Sequence, residues 1–155
     1  MGLKYKKILV AIDGSQEADW AFEKAINIAK EDNAKVLLVH VIEKIGFGSF
    51  EGLDQTIINT TERFAFDMLE IYKKVAIDAG VSEVDYLLEY GSPKNIIPKD
   101  TAKQTNCDLI VCGASGLNAV ERIFLGSVSE NIARYAPCDV LIVRTGIKKE
   151  QQKSD

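Results

Sequence analysis

The chain has a single histidine and no CxxC pair, so a His/Cys metal cluster has nothing to be built from. Its three cysteines, Cys107, Cys112 and Cys138, cannot all pair within one chain, which excludes a fully stapled disulfide scaffold and suits a reducing compartment. Lys and Arg never run beyond a pair, and the formal net charge is −4; nucleic acid is therefore not an expected partner. The longest apolar runs are strand-sized, and MGLKYKK leads straight into a strand-like segment with no signal-peptide core, so no membrane partner is expected and the location is read as cytoplasmic. Neither GxGxxG nor GxxxxGK[ST] occurs, which removes both standard phosphate-loop fingerprints.

What is present is ordinary globular composition, 46% apolar and 27% charged over 155 residues. A chain of this size buries roughly 68–70% of its unfolded surface and needs no staples. One domain over 1–146 is expected, followed by a polar tail, 147–155, too poor in apolar surface to dock.

Ile8–Ile12 is a continuous apolar run that reads as a buried strand, and Val36–Ile42, Val84–Tyr90, Leu109–Cys112 and Asp139–Val143 read as four more. Between them lie helical patterns. Ala18, Ala21, Phe22, Ala25, Ile28 and Ala29 form one stripe behind an N-cap at Ser15. From about Asp54 to Ala79 the stripe is Ile57, Ile58, Phe64, Ala65, Met68, Leu69, Tyr72, Val75, Ala76 and Ala79, stopped by Gly80. A third helix spans 94–105 with Pro98 inside it, and a fourth runs from about Ser127 to Tyr135, ended by Pro137. Five strands alternating with four helices predict an open parallel sheet covered on both faces, with ligands beyond the carboxyl ends of the strands where the winding reverses.

Two loops leave such ends: Asp13-Gly14-Ser15, and the stretch VCGASGLNAVERIFLGSVSENI with Gly113, Gly116 and Gly126. Read as a phosphate site, the glycines expose main-chain amides at 113–116 and 126–129, with Ser127 and Ser129 adding hydroxyls at a helix N-terminus. The same residues also read as an S-x-x-E capping box from Ser127 to Glu130. Asp13 fits a ribose hydroxyl, a metal-bound water or a helix cap. His40, inside an apolar strand, is expected to be a hydrogen-bonded structural imidazole. Glu17, Asp19 and Glu23 read as a solvated helix face, and the Gly-containing run 46–52 as a spacer.

Gly113, Gly116, Gly126 and Ser127 satisfy G-x2-G-x9-G-[ST] without insertion, and the chain opens on KKILVAIDGS. In both respects, and from Tyr5 to Arg144, the sequence resembles the UspA family of universal stress proteins, in its nucleotide-binding branch. The resemblance implies the Rossmann-like sheet of the adenine nucleotide alpha hydrolases. It also implies ATP, or AMP or ADP, bound with Mg or another divalent cation near Asp13. Ala11, Ile12 and Asp13 would flank adenine and ribose, Val41 would contact adenine, and Cys112 would line the base pocket. Gly113, Gly116, Gly126, Ser127, Val128 and Ser129 would surround ribose and phosphates. A homodimer joined antiparallel along Asp139–Val143 is implied as well, an apolar edge that invites pairing. Ala114 and Ser115 depart from the family pattern, in which a basic or imidazole side chain often precedes the second glycine; Arg122 is the nearest substitute.

No catalytic base or nucleophile can be assigned. The leading expectation is an ATP-dependent stress-response regulator read by a protein partner that the sequence does not name. The alternatives are a slow ATP hydrolase or phosphate-transfer enzyme, and a nucleotide-free dimeric interaction module.

Overall fold

The computed structural model describes residues 2–43, 55–115 and 125–144. The run 46–52, Gly116, Arg122 and the tail 147–155 lie outside the described residues.

The five apolar runs form β1 (Lys7–Ala11), β2 (Lys35–Ile42), β3 (Val84–Tyr90), β4 (Leu109–Gly113) and β5 (Asp139–Val143). All pair in parallel in the order β3-β2-β1-β4-β5. The chain winds outward from β1 to β2 and β3, then returns to pair β4 on the other side of β1, with Leu9 opposite both Leu37 and Ile110. That reversal opens a crevice at the carboxyl ends of β1 and β4.

The helices are α1 (Gln16–Asp32), α2 (Gln55–Ala79), a composite α3 over 93–105, and α4 (Ser127–Tyr135). Alternation along the strands sorts them into two layers. Ile8 and Val10 pack with Ala21, Phe22 and Ala25 of α1 and with Leu69 and Ala76 of α2. Leu9, pointing the other way, packs with Ile97 and Ala102 of α3 and Ile132 of α4.

Ser15 caps α1 as expected, its hydroxyl accepting the Ala18 amide at 3.1 Å. Gly80 ends α2 at φ +113°, a region L-residues avoid, while the next amide, that of Val81, turns back to Ala76. Pro98 does not break α3. It lacks an amide hydrogen, and the segment widens into a π-helical stretch, Ile96–Thr101, in which the Ala102 amide reaches five residues back to Ile97. At the end of the sheet away from the crevice, the Asp108 carboxylate receives the amides of Lys6 and Lys7, and Asp32 receives that of Tyr5.

The stripe expected on α2 is only partly inward. Ala65, Leu69 and Ala76 are buried, whereas Ile57, Val75 and Phe64 stand exposed, Phe64 at 74%. The helix lies against one edge of its layer, so an apolar arc wider than its contact cannot all be covered. Leu69→Ala should therefore cost about 2–5 kcal/mol, and Phe64→Ala no more than about 0.5 kcal/mol in either direction, by urea unfolding of the two variants beside wild type.

Candidate functional site

The crevice is a cavity of about 500 Å³. Ala11, Ile12 and Asp13 enter it from the exit of β1, Val41 from β2, Cys112 and Gly113 from β4, and Gly126, Ser127, Val128 and Ser129 from the start of α4. Ten of the eleven residues singled out from sequence thus line one space, the eleventh being Gly116. The structure adds Ser115, His40 and Glu43, Thr61 of α2, and Pro93 and Ile97 of α3. Nothing in local spacing pointed to Thr61, Pro93 or Ile97; they arrive by packing of α2 and α3 over the carboxyl edge.

The cavity has two kinds of wall. Ile12, Val41 and Cys112 are nearly fully buried and apolar, and with Ile97 and Val128 they form a surface suited to a flat aromatic group. Burial alone pushes the Cys112 thiol up to about 12, so it is a neutral apolar side chain at physiological pH. The polar wall is built by Asp13 and the first turn of α4. Asp13 acts as a cap: its Oδ1 accepts the Ser15 amide at 2.9 Å and the Ser15 hydroxyl at 2.6 Å, which orients that hydroxyl's lone pair toward Ala18.

His40 is the structural imidazole expected from sequence. Its Nδ1 lies 2.7 Å from the Ile12 carbonyl, which can only accept, so Nδ1 carries a proton and donates it there. The bond ties the exits of β1 and β2 together beneath the cavity.

The amide cradle differs from expectation. Main-chain donors at 114, 115 and 126 are already engaged: Ala114 donates to Val143 O, Ser115 to Glu17 Oε2 and Gly126 to Ala114 O. Gly113 and Gly126 instead serve close packing. A Cβ on Gly113 would stand 2.9 Å from the Glu17 carbonyl carbon, and one on Gly126 3.3 Å from Ser115 Cα. The Ser127–Glu130 capping box does not form. Ser127 is the first helical residue, Gly126 holds the cap position without a side chain to cap with, and the Glu130 carboxylate lies 3.5 Å from Arg134. Ser129 is buried, and its hydroxyl donates to Ala114 O at 2.7 Å, so it is not available to a ligand as a donor. Among the described residues of this stretch, the first-turn amides of Ser127, Val128 and Ser129 have no intrahelical partner, and these three residues line the cavity at the positive end of α4. Glu17 departs from the solvated face expected of it: it is half-buried, and the fold brings its carboxylate to the amide of Ser115, 98 residues away.

Residues 4–144 match the family profile of the universal stress proteins. The chain belongs to the universal stress protein family. A universal stress protein of Staphylococcus aureus (strain USA300) is 52% identical over 143 residues, spanning 92% of this chain and 86% of its own. Among solved structures, universal stress protein UspA from Lactobacillus plantarum superposes with a TM-score of 0.84 at 29% identity, covering 92% of this chain and all of that one. A universal stress protein crystallised in complex with cAMP gives 0.69 at 26% identity, covering 92% and 98%. The five-stranded parallel sheet with helices on both faces is this family's Rossmann-like fold. Among the described residues, no helix is long and apolar enough to cross a membrane.

Two measurements check the geometry. Gly113→Ala forces a methyl into the backbone of α1 and should destabilise by about 1–3 kcal/mol, whereas Gly2→Ala, with nothing within 4 Å, should be silent by urea unfolding. Because the Cys112 pKa is raised in the folded state, its contribution to stability is complete below about pH 9 and is lost as pH rises toward about 12. Cys112→Ala should flatten that part of the alkaline decline in the urea midpoint.

Proposed function

We propose that the cavity binds an adenine nucleotide, ATP with a divalent cation in the leading reading, and that the protein is a nucleotide-dependent stress-response regulator. The observation that carries this is the pairing, within about 500 Å³, of an apolar wall with the uncapped N-terminus of α4. Three amides and a helix dipole offer an anion site, and the apolar wall between β1, β2 and β4 accepts a base. Ala11, Ile12 and Val41 are assigned to adenine, Cys112 to the base pocket and Asp13 to the ribose. Ser127, Val128 and Ser129 are assigned to phosphate through their amides, and Ser127 also through its exposed hydroxyl. Gly113 and Gly126 shape the site without donating to it. A divalent ion carried by the nucleotide would neutralise phosphate charge beside the Asp13 carboxylate. The relative solved with cAMP supports the ligand class.

The same reading includes a homodimer joined along β5. It is an edge strand whose Val140, Leu141 and Ile142 are only half-buried in the isolated chain. Light scattering at micromolar concentration should give twice the chain mass of 17.1 kDa; a monomer would remove the dimer from the proposal.

The nucleotide is tested by thermal unfolding of protein stripped of co-purified ligand. At one hundred times its dissociation constant a ligand adds about 2.7 kcal/mol, so ATP with magnesium should raise the midpoint by about 5–10 °C, and adenosine by less. Ser127→Asp sharpens the test. A carboxylate at the first turn of α4 should leave the ligand-free midpoint equal or slightly higher, through the helix dipole, while repelling phosphate and removing most of the ATP shift. No ATP-dependent shift in wild type would leave the interaction module as the better account.

A further inference from the structure

The loop that carries α4 to the cavity is held from behind by a residue outside the cavity wall. Glu17 Oε2 accepts the Ser115 amide at 2.6 Å, a short bond that joins the first turn of α1 to the exit of β4. The two segments already touch, since Gly113 lies against the backbone of Glu17 with no room for a side chain. One residue before Ser115, the Ala114 carbonyl accepts both the Gly126 amide, at 2.8 Å, and the Ser129 hydroxyl, at 2.7 Å. Gly126 in turn packs against Ser115 Cα. The start of α4 is thus hung on the Ala114-Ser115 peptide, and Glu17 fixes that peptide to the helix whose cap is made by Asp13 and Ser15.

We propose that Glu17 is a positioning residue for the phosphate subsite, setting the distance between the Asp13 side of the cavity and the α4 amides through its bond to Ser115. This rests on the nucleotide reading above. Glu17 does not line the cavity, although Ser115 does, so the carboxylate acts through the loop and does not touch the ligand. The role needs an acceptor at the end of a two-methylene side chain more than it needs a charge. Glutamine keeps that acceptor and alanine removes it.

The test compares wild type, Glu17→Gln and Glu17→Ala by calorimetric titration with ATP and magnesium and, separately, with adenosine. A parallel arm follows amide hydrogen exchange in the ligand-free proteins. Glu17→Ala should weaken ATP about tenfold or more while adenosine changes less than about twofold, and Glu17→Gln should recover most of the ATP affinity. Exchange at Ser115 and Gly126 should accelerate in Glu17→Ala and stay slow in Glu17→Gln. Equal losses for ATP and adenosine would mean a general loss of structure and would overturn the proposal, as would unchanged ATP affinity in Glu17→Ala. If wild type binds neither ligand, the nucleotide reading fails on its own account and the phosphate role falls with it. The exchange arm then decides the tie itself: unchanged exchange at Ser115 and Gly126 in Glu17→Ala refutes it.

Discussion

The parallel pairing of β1 with β4 is the contact on which the site depends. Two strands separated by about a hundred residues lie side by side, so their exits point in the same direction while the crossovers that leave them diverge to opposite faces of the sheet. No element of the sheet spans the resulting crevice. The Asp13 turn, the 113–115 loop and the first turn of α4 are placed beside it because Ile8, Leu9 and Val10 are locked against Leu109, Ile110 and Val111. Val10 and Val111 anchor one helical layer and Leu9 and Ile110 the other, so the register that makes the core also sets the site.

The strands were legible because the central ones are buried on both faces, which makes each a short and almost wholly apolar word, with His40 the one polar letter in Val36–Ile42. Helix starts and stops at Ser15 and Gly80 were legible because capping is a local chemical problem with local solutions. The outward part of α2 was not, since a period of 3.6 says which residues share a face and nothing about how wide a neighbour covers it. The site divided along the same line. Ten of the residues that the family resemblance implies line one cavity, but neither resemblance nor spacing could say which main-chain amides would be engaged by other strands and helices. Val143 and Glu17 lie far along the chain from the Ala114 and Ser115 amides they engage, a pairing that no local pattern announces.

That division also separates two demands on the cavity wall. Gly113, Gly126 and Ser129 hold the backbone together and would be needed there whether or not anything bound. Ser127 makes no such contact among the described residues; it is exposed at the start of a helix that keeps its other bonds without it. Within one short segment, packing thus falls on Gly126 and Ser129 and leaves the Ser127 side chain exposed.

The carboxylates of Asp32 and Asp108, which receive the amides of Tyr5, Lys6 and Lys7, give the sheet a mechanical polarity. Carboxylates clamp β1 itself where it enters the sheet, whereas at the other end the ties, His40 to the Ile12 carbonyl and Glu17 to the Ser115 amide, hold the residues just beyond the strands. Strands five residues long span about 17 Å, too short and too well paired to bend much. The core thus forms a fixed handle, and the crevice wall stands on it through the Glu17 and His40 ties.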